Sequence, residues 1–180
     1  MSVDFFWRRV TGRSLDELTP GELLALVPHW FDAEFPSLRA AGTVMAVERH
    51  GDLMHFALLE GGVAAVPGAR IRAAQLPVLG GERRTGGEEV SEHGFVFERE
   101  LRVLRPEEVR DASAFLQQLS VDEVVTDLDA ELAEEVDSLG FATPWSQAWA
   151  ASLIADLEAL KTFFAAAATA GDAMVKFESE

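Results

Sequence analysis

The stretch LEALKTFFAAAATAGDAMVKF, Leu157 to Phe177, decides the fold class, because it runs a helix into a strand across one glycine. Working back from it, Trp149, Leu153, Leu157, Leu160, Phe164 and Ala167 recur at steps of three and four, the spacing of one buried helix face. Gly171 stands where a left-handed residue closes such a helix. Beyond it Ala173, Val175 and Phe177 alternate, which predicts a terminal strand packed into a sheet.

Upstream, FATPW interrupts the pattern and separates the long helix from earlier ones. Pro106, followed by Glu107 and Glu108, suits a first helical turn, and Val109, Ala112, Leu116 and Leu119 share a face behind it. Ser120 and Glu123 have the S-x-x-E spacing of a capping box. Val121, Val124, Val125 and Leu128 then turn inward, with Leu132, Val136 and Leu139 on a continuing or separate turn.

In the first half, VDFFWRRVT (Val3 to Thr11) reads as a strand. SLDE, with Ser14 and Glu17, and TPGE, with Thr19 as cap and Glu22 three residues on, are two helix starts, the second opening a helix from Pro20 to about Val27. HWFDAEFPSLRAAG reads as loop, TVMAVE (Thr43 to Glu48) as strand and RHGD as turn. LMHFALLEGG, Leu53 to Gly62, fits a hairpin strand or a short buried helix, and the strand is preferred. Residues 63–104 are glycine-rich with short extended pieces; FVFERELRV places Phe95, Phe97 and Arg99 on one strand face. The expectation is a single α+β domain over residues 1–180, in which a small mixed or antiparallel sheet is packed by a C-terminal helical half and ends in a short strand. Residues 1–105 form its strand- and loop-rich part and 106–180 its acidic helical part.

Charge separates the same two parts. Residues 1–105 carry 12 basic and 15 acidic side chains, and 106–180 carry 3 and 16, for a net −16 overall. Such a field repels phosphate backbones, so no nucleic-acid partner is expected, whereas a basic protein partner is attracted. The absence of cysteine excludes thiol nucleophiles, disulfides and thiolate metal sites, and suits a reducing compartment. MSVDFFWRRV meets charge too early for a signal peptide, and no segment is apolar enough to span a membrane, so a cytoplasmic protein is expected.

The order of VLGG (Val78 to Gly81), an extended segment, LRPEEVRDASAFLQQLSVDEV from Leu104, LGFATPW, and LEALKTFFAAAATAGDAMVKF resembles the YfbM-like family of uncharacterised bacterial proteins. The likeness lies mainly in residues 76–178. It implies an α+β fold and a bacterial cytoplasmic setting, and no reaction. The family's Lys-x-Trp-His type segment has no counterpart here; GDLMHFALLEGG offers only His55.

Candidate chemistry is sparse. In GGERRTGGEE, Gly81 and Gly86 have the spacing of a phosphate-binding loop, but Gly87 and Glu88 stand where that motif needs lysine and a hydroxyl, so the segment reads as a connection with Arg83 and Arg84 as its exposed charges. His50, Asp52 and His55 share no strand or helix face suited to a metal. No catalytic residue, metal or cofactor is assigned. The leading expectation is a non-enzymatic, acidic protein-interaction module, with an immunity-like role as one form of it; the alternative is a small-molecule or anion-binding sensor or enzyme with its site in the loops of residues 50–102. The candidate binding residues are His55, Arg83, Arg84, His93 and Trp30, with Arg70 and Arg72 as further anion contacts.

Overall fold

A computed structural model describes residues 3–90 and 96–179, with backbone alone for 87–90, 96 and 97. Five strands, β1 (Asp4–Val10), β2 (Val44–Glu48), β3 (Glu82–Val90), β4 (Val96–Leu104) and β5 (Ala173–Ser179), form one sheet in the order β2-β1-β5-β4-β3. Every neighbouring pair is antiparallel. The strand predicted after Gly171 therefore exists and is the central one.

Because side chains alternate along a strand, the two faces of this sheet have separate cores. On one face α1 (Gly12–Glu17) and α2 (Pro20–Ala25) set Leu15, Leu23 and Leu24 against Val10, Leu101, Val103, Ala173 and Val175, while α3 (Phe35–Ala40) sets Phe35 against Phe6, Val44 and Ala46. On the other, Phe5, Trp7, Met45, Val47 and Met174 meet the main helical layer. That layer holds α4 (Gly51–Ala57), which runs through a π-helical turn (Leu58–Gly62) into α5 (Val63–Ala65), then α6 (Ile71–Gln75), α7 (Pro106–Gln117), α8 (Val121–Asp127), α9 (Asp129–Ser138) and α10 (Gln147–Ala170). The stripe read on α10 is its core face: Leu153, Leu157, Leu160, Phe164 and Ala167 are each at most 1% exposed. Burying each leucine or phenylalanine removes about 1.5–3 kcal/mol of apolar hydration cost. Ser146 caps the helix at Trp149 N, and Gly171 closes it at φ 73°.

Several elements differ from the sequence expectation, each for a local reason. Leu53–Gly62 is helix and π-turn, not strand: the run has no β-branched residue, and Leu53, Met54, Ala57 and Leu58 bury one helical side. Part of the stretch read as loop before residue 43 is α3, started by Pro36 in its first turn. Ser14 lies inside α1 and Thr11 is the cap, accepting from Ser14 N; the Thr19–Glu22 box forms in both directions. Ser120 precedes α8 without a side-chain capping bond, and α8 and α9 are separate helices. The glycine-rich connection is strand β3. Its register shifts between Thr85 and Glu88, and a Cβ on Gly86 would stand 2.5 Å from Pro20 Cβ, so the glycine serves a bulge packed on α2 rather than a loose turn. Phe95 and His93 lie outside the described residues.

One cross-strand row organises the layers. Met45, Trp7, Lys176, Arg102 and Arg83 are register partners on successive strands. Their side chains share a face, and three of them reach the segment after α6. Trp7 Nε1 donates to Pro77 O at 2.7 Å, Lys176 Nζ to Leu76 O and Val78 O at 2.6 Å each, and Arg102 Nη1 to Leu79 O. Four consecutive carbonyls, from Leu76 to Leu79, are thus satisfied by one row of buried and part-buried donors. Lys176→Met should leave two of these acceptors unpaired and destabilise the fold by about 2–4 kcal/mol. Denaturant unfolding checks the magnitude, and hydrogen exchange should show faster opening centred on residues 76–81; unchanged exchange there would contradict this role for Lys176.

Candidate functional site

The row ends at a cleft. Beyond Arg102 and Arg83 a space of about 850 Å³ opens, bounded by His55 of α4, Arg72 of α6, Leu79 to Glu82, and Arg105, Glu107, Glu108 and Asp111 at the start of α7. The pinned carbonyl segment forms its floor. Close packing explains the two glycines there: a Cβ on Gly80 would lie 2.7 Å from the Gln75 carbonyl carbon, and Gly81 has φ +110°.

The walls differ in charge. Arg83 and Arg102 come from the sheet and Arg72 from α6, while Glu107 and Asp111 face them from α7. Each arginine is oriented by a carboxylate: Arg72 by Glu108 at 2.6 Å, Arg83 by Glu100 at 3.5 Å, Arg102 by Glu178 at 3.3 Å and Glu100 at 3.6 Å, and Arg105 by Asp16 at 3.1 Å. Glu108 also accepts from Arg105 N, fixing the entry to α7. The Arg83 side chain is 65% exposed, a donor group available to solvent or ligand.

His55 is the unusual group. Its Nδ1 is buried and finds no hydrogen-bond partner among the described residues. Burial, with Lys176 and Arg102 adding positive charge nearby, lowers its pKa to about 4, so the imidazole is neutral at physiological pH. Burial and then Arg102 push the Lys176 amine well below the usual lysine range. Burial raises the carboxyls of Glu178 and Asp52, with Arg102 opposing the rise at Glu178 and Asp52 adding to it. A folded-state pKa below the unfolded one means that the His55 contribution is complete above about pH 6.5 and is lost as pH falls toward 4. The raised carboxyls act in the opposite sense. Accordingly, His55→Leu should lose less stability than the parent over that window, by at most about 2–3 kcal/mol; parallel urea titrations from pH 7 to pH 4 measure the difference, and coincident pH profiles would refute it.

Of the residues singled out in the sequence, His55, Arg72 and Arg83 come together in this cleft. Arg84 alternates to the opposite face, donates to Leu15 O at 2.6 Å and pairs with Glu82, leaving its side chain 16% exposed rather than a free surface charge. Trp30 lies across the sheet, half-buried against Phe6 and Phe35, with Nε1 donating to Asp4 Oδ2 at 2.9 Å. Arg70 lines a neighbouring groove. Arg102 and Arg105 belong to segments that the sequence marks only as a strand and a helix start. The alternation that puts Arg102 opposite Arg83 could have marked it once β3 was recognised. Among the described residues no group of three or more His, Asp or Glu side chains is placed to hold a metal.

Comparison with known proteins accounts for the same region. The family described as a domain of unknown function, DUF1877, matches residues 52–177. The chain belongs to the DUF1877 family. The matched span holds every residue lining the cleft, whereas Trp7, one of the three donors beneath it, lies before it. The crystal structure of YfbM from Escherichia coli, a protein of unknown function, is similar over 98% of this chain and 99% of that one, with 15% identity and a TM-score of 0.57. This likeness shows the YfbM-like fold. No curated protein matches in sequence. Among the described residues of this DUF1877 member, no helix is long and apolar enough to cross a membrane.

Proposed function

We propose that the cleft at the end of the cross-strand row binds a small anion, a carboxylate or phosphate ester that also bears a hydrogen-bonding group for His55. The observation that carries this is the convergence of four arginines on a cleft that His55, a neutral imidazole, also lines. Neutrality lets His55 either donate to an anion or accept from a hydroxyl. The acidic α7 wall favours ligands that also carry a positive or donor group, since Glu107 and Asp111 repel a bare polyanion. Ligand sensing fits this arrangement better than turnover, because among the described residues no nucleophile with an adjacent base lines the cleft.

Thermal-shift screening of small carboxylates, amino acids and phosphate esters tests the proposal. A hit should raise Tm, and Arg83→Gln should weaken its binding by about tenfold with little change in the stability of the free protein. Silence across the library, or hits indifferent to both Arg83→Gln and His55→Leu, would reject it.

A second reading, an interaction module for a basic protein, is supported by the exposed carboxylates of α8 and α9: Asp122, Glu123, Asp127, Asp129, Glu131, Glu134 and Asp137. Neither helix carries a basic residue. Binding of this kind should weaken steeply with salt; capture of a cationic partner that is insensitive to charge reversal at Glu131 and Glu134 would exclude this surface.

A further inference from the structure

At the opposite edge of the sheet a second cleft, of about 490 Å³, shares no lining residue with the first. It lies where β2 turns into α4 against α10, and Trp30, Arg39, Arg49, His50, Trp149 and Asp156 line it. His50 Nδ1 is 2.6 Å from Asp156 Oδ2, a bond between residues 106 apart in the chain. The His50 ring also packs on Trp149, with centroids 5.1 Å apart, and Trp149 is held in turn by Phe141 at 5.0 Å. With Nδ1 engaged by the carboxylate, Nε2 is the ring atom left for a ligand, and the pairing fixes which way it points.

Two further observations indicate that this corner is built for binding. Arg49, at φ 68°, is the one non-glycine residue with a positive φ among those described. A Cβ is strained in that region, and nothing local requires arginine there: its single ion pair, to Glu48 at 3.1 Å, joins two largely exposed side chains. Arg39 is exposed and makes no ion pair or side-chain hydrogen bond among the described residues. The cleft therefore combines two indole rings, the guanidinium of Arg39, that of Arg49 in an exposed pair with Glu48, and an imidazole oriented by Asp156.

From this combination we infer a second binding site, for a planar aromatic ring bearing an anionic group. The indoles accept the ring, Arg39 and Arg49 take the anion, and His50 Nε2 bonds a polar edge. Such a ligand can be a nucleoside monophosphate or an aromatic carboxylate. The site does not rest on the function proposed for the first cleft.

Calorimetry and tryptophan fluorescence with adenosine monophosphate and 4-hydroxybenzoate distinguish the two sources, with adenosine and inorganic phosphate as ring-only and anion-only controls. Saturable binding of either aromatic anion is expected, with both controls weaker by at least about tenfold. Arg39→Gln should weaken binding by a similar factor. Arg49→Gly should do so while raising Tm, because glycine accepts the left-handed backbone; a residue with a merely structural role would not separate the two effects. The inference is overturned if neither aromatic anion binds at millimolar concentration, if adenosine binds as well as its monophosphate and no aromatic carboxylate binds, or if Arg49→Gly lowers Tm.

Discussion

A buried lysine amine holding two backbone carbonyls is the interaction on which both the sheet and the cleft depend. Lys176 sits on the central strand with Trp7 on one side and Arg102 on the other, and together they receive the carbonyls of residues 76–79. A connecting segment that crosses the core needs its polar backbone satisfied, and helix or sheet pairing is not available to it there. Side-chain donors replace that pairing. The arrangement also addresses the cost of burying an amine, since each of its bonds reaches a carbonyl dipole and the nearby Arg102 charge disfavours the protonated form. Sheet, segment and helical layer are thereby joined at one row.

The same row shapes the electrostatics of the cleft. In a chain of net charge −16, Arg83 and Arg102 stand side by side on neighbouring strands, and Arg72 and Arg105 bring further positive charge to the cleft. Local potential in a cleft follows the nearest groups more than the total, because solvent screens distant charges within about 10 Å. Within an acidic protein the cleft thus sets four arginines against four carboxylates, Glu82, Glu107, Glu108 and Asp111. Burial first, and nearby positive charge second, keep His55 neutral, which turns a residue that ordinarily titrates near physiological pH into a fixed polar contact.

What could be read from sequence was what periodicity encodes. The α10 stripe, the Gly171 cap, the strand Ala173–Ser179, the Thr19–Glu22 box and the helix from Pro106 follow from spacing, and the order of motifs indicated the family. Leu53–Gly62 failed because a short apolar run fits both helix and strand, and only packing against both the sheet and α8 decides it. β3 failed because its glycines mimic a loop, while the hydrogen bonds that make it a strand come from β4 and the close contact that needs Gly86 comes from α2. For the cleft, His55, Arg72 and Arg83 were visible as residue types. Arg102 was hidden with β3, whose register places it opposite Arg83, and the capture of Leu76 and Val78 was hidden because Lys176 lies 100 and 98 residues away.

The central place of β5 has a kinetic meaning. Its partner β1 lies at the far end of the chain, and the contact between Arg9 and Asp172 spans 163 residues. Until that loop closes, β1 and β2 share no backbone pairing with β3 and β4, because β5 lies between them in the sheet. Closing such long loops before contacts reward it makes folding slow and leaves strand edges open to other molecules. During that interval α7 and α10 can already form from local sequence. The helical layer is thus available as a template, and the last strand enters between two halves that have been waiting for it.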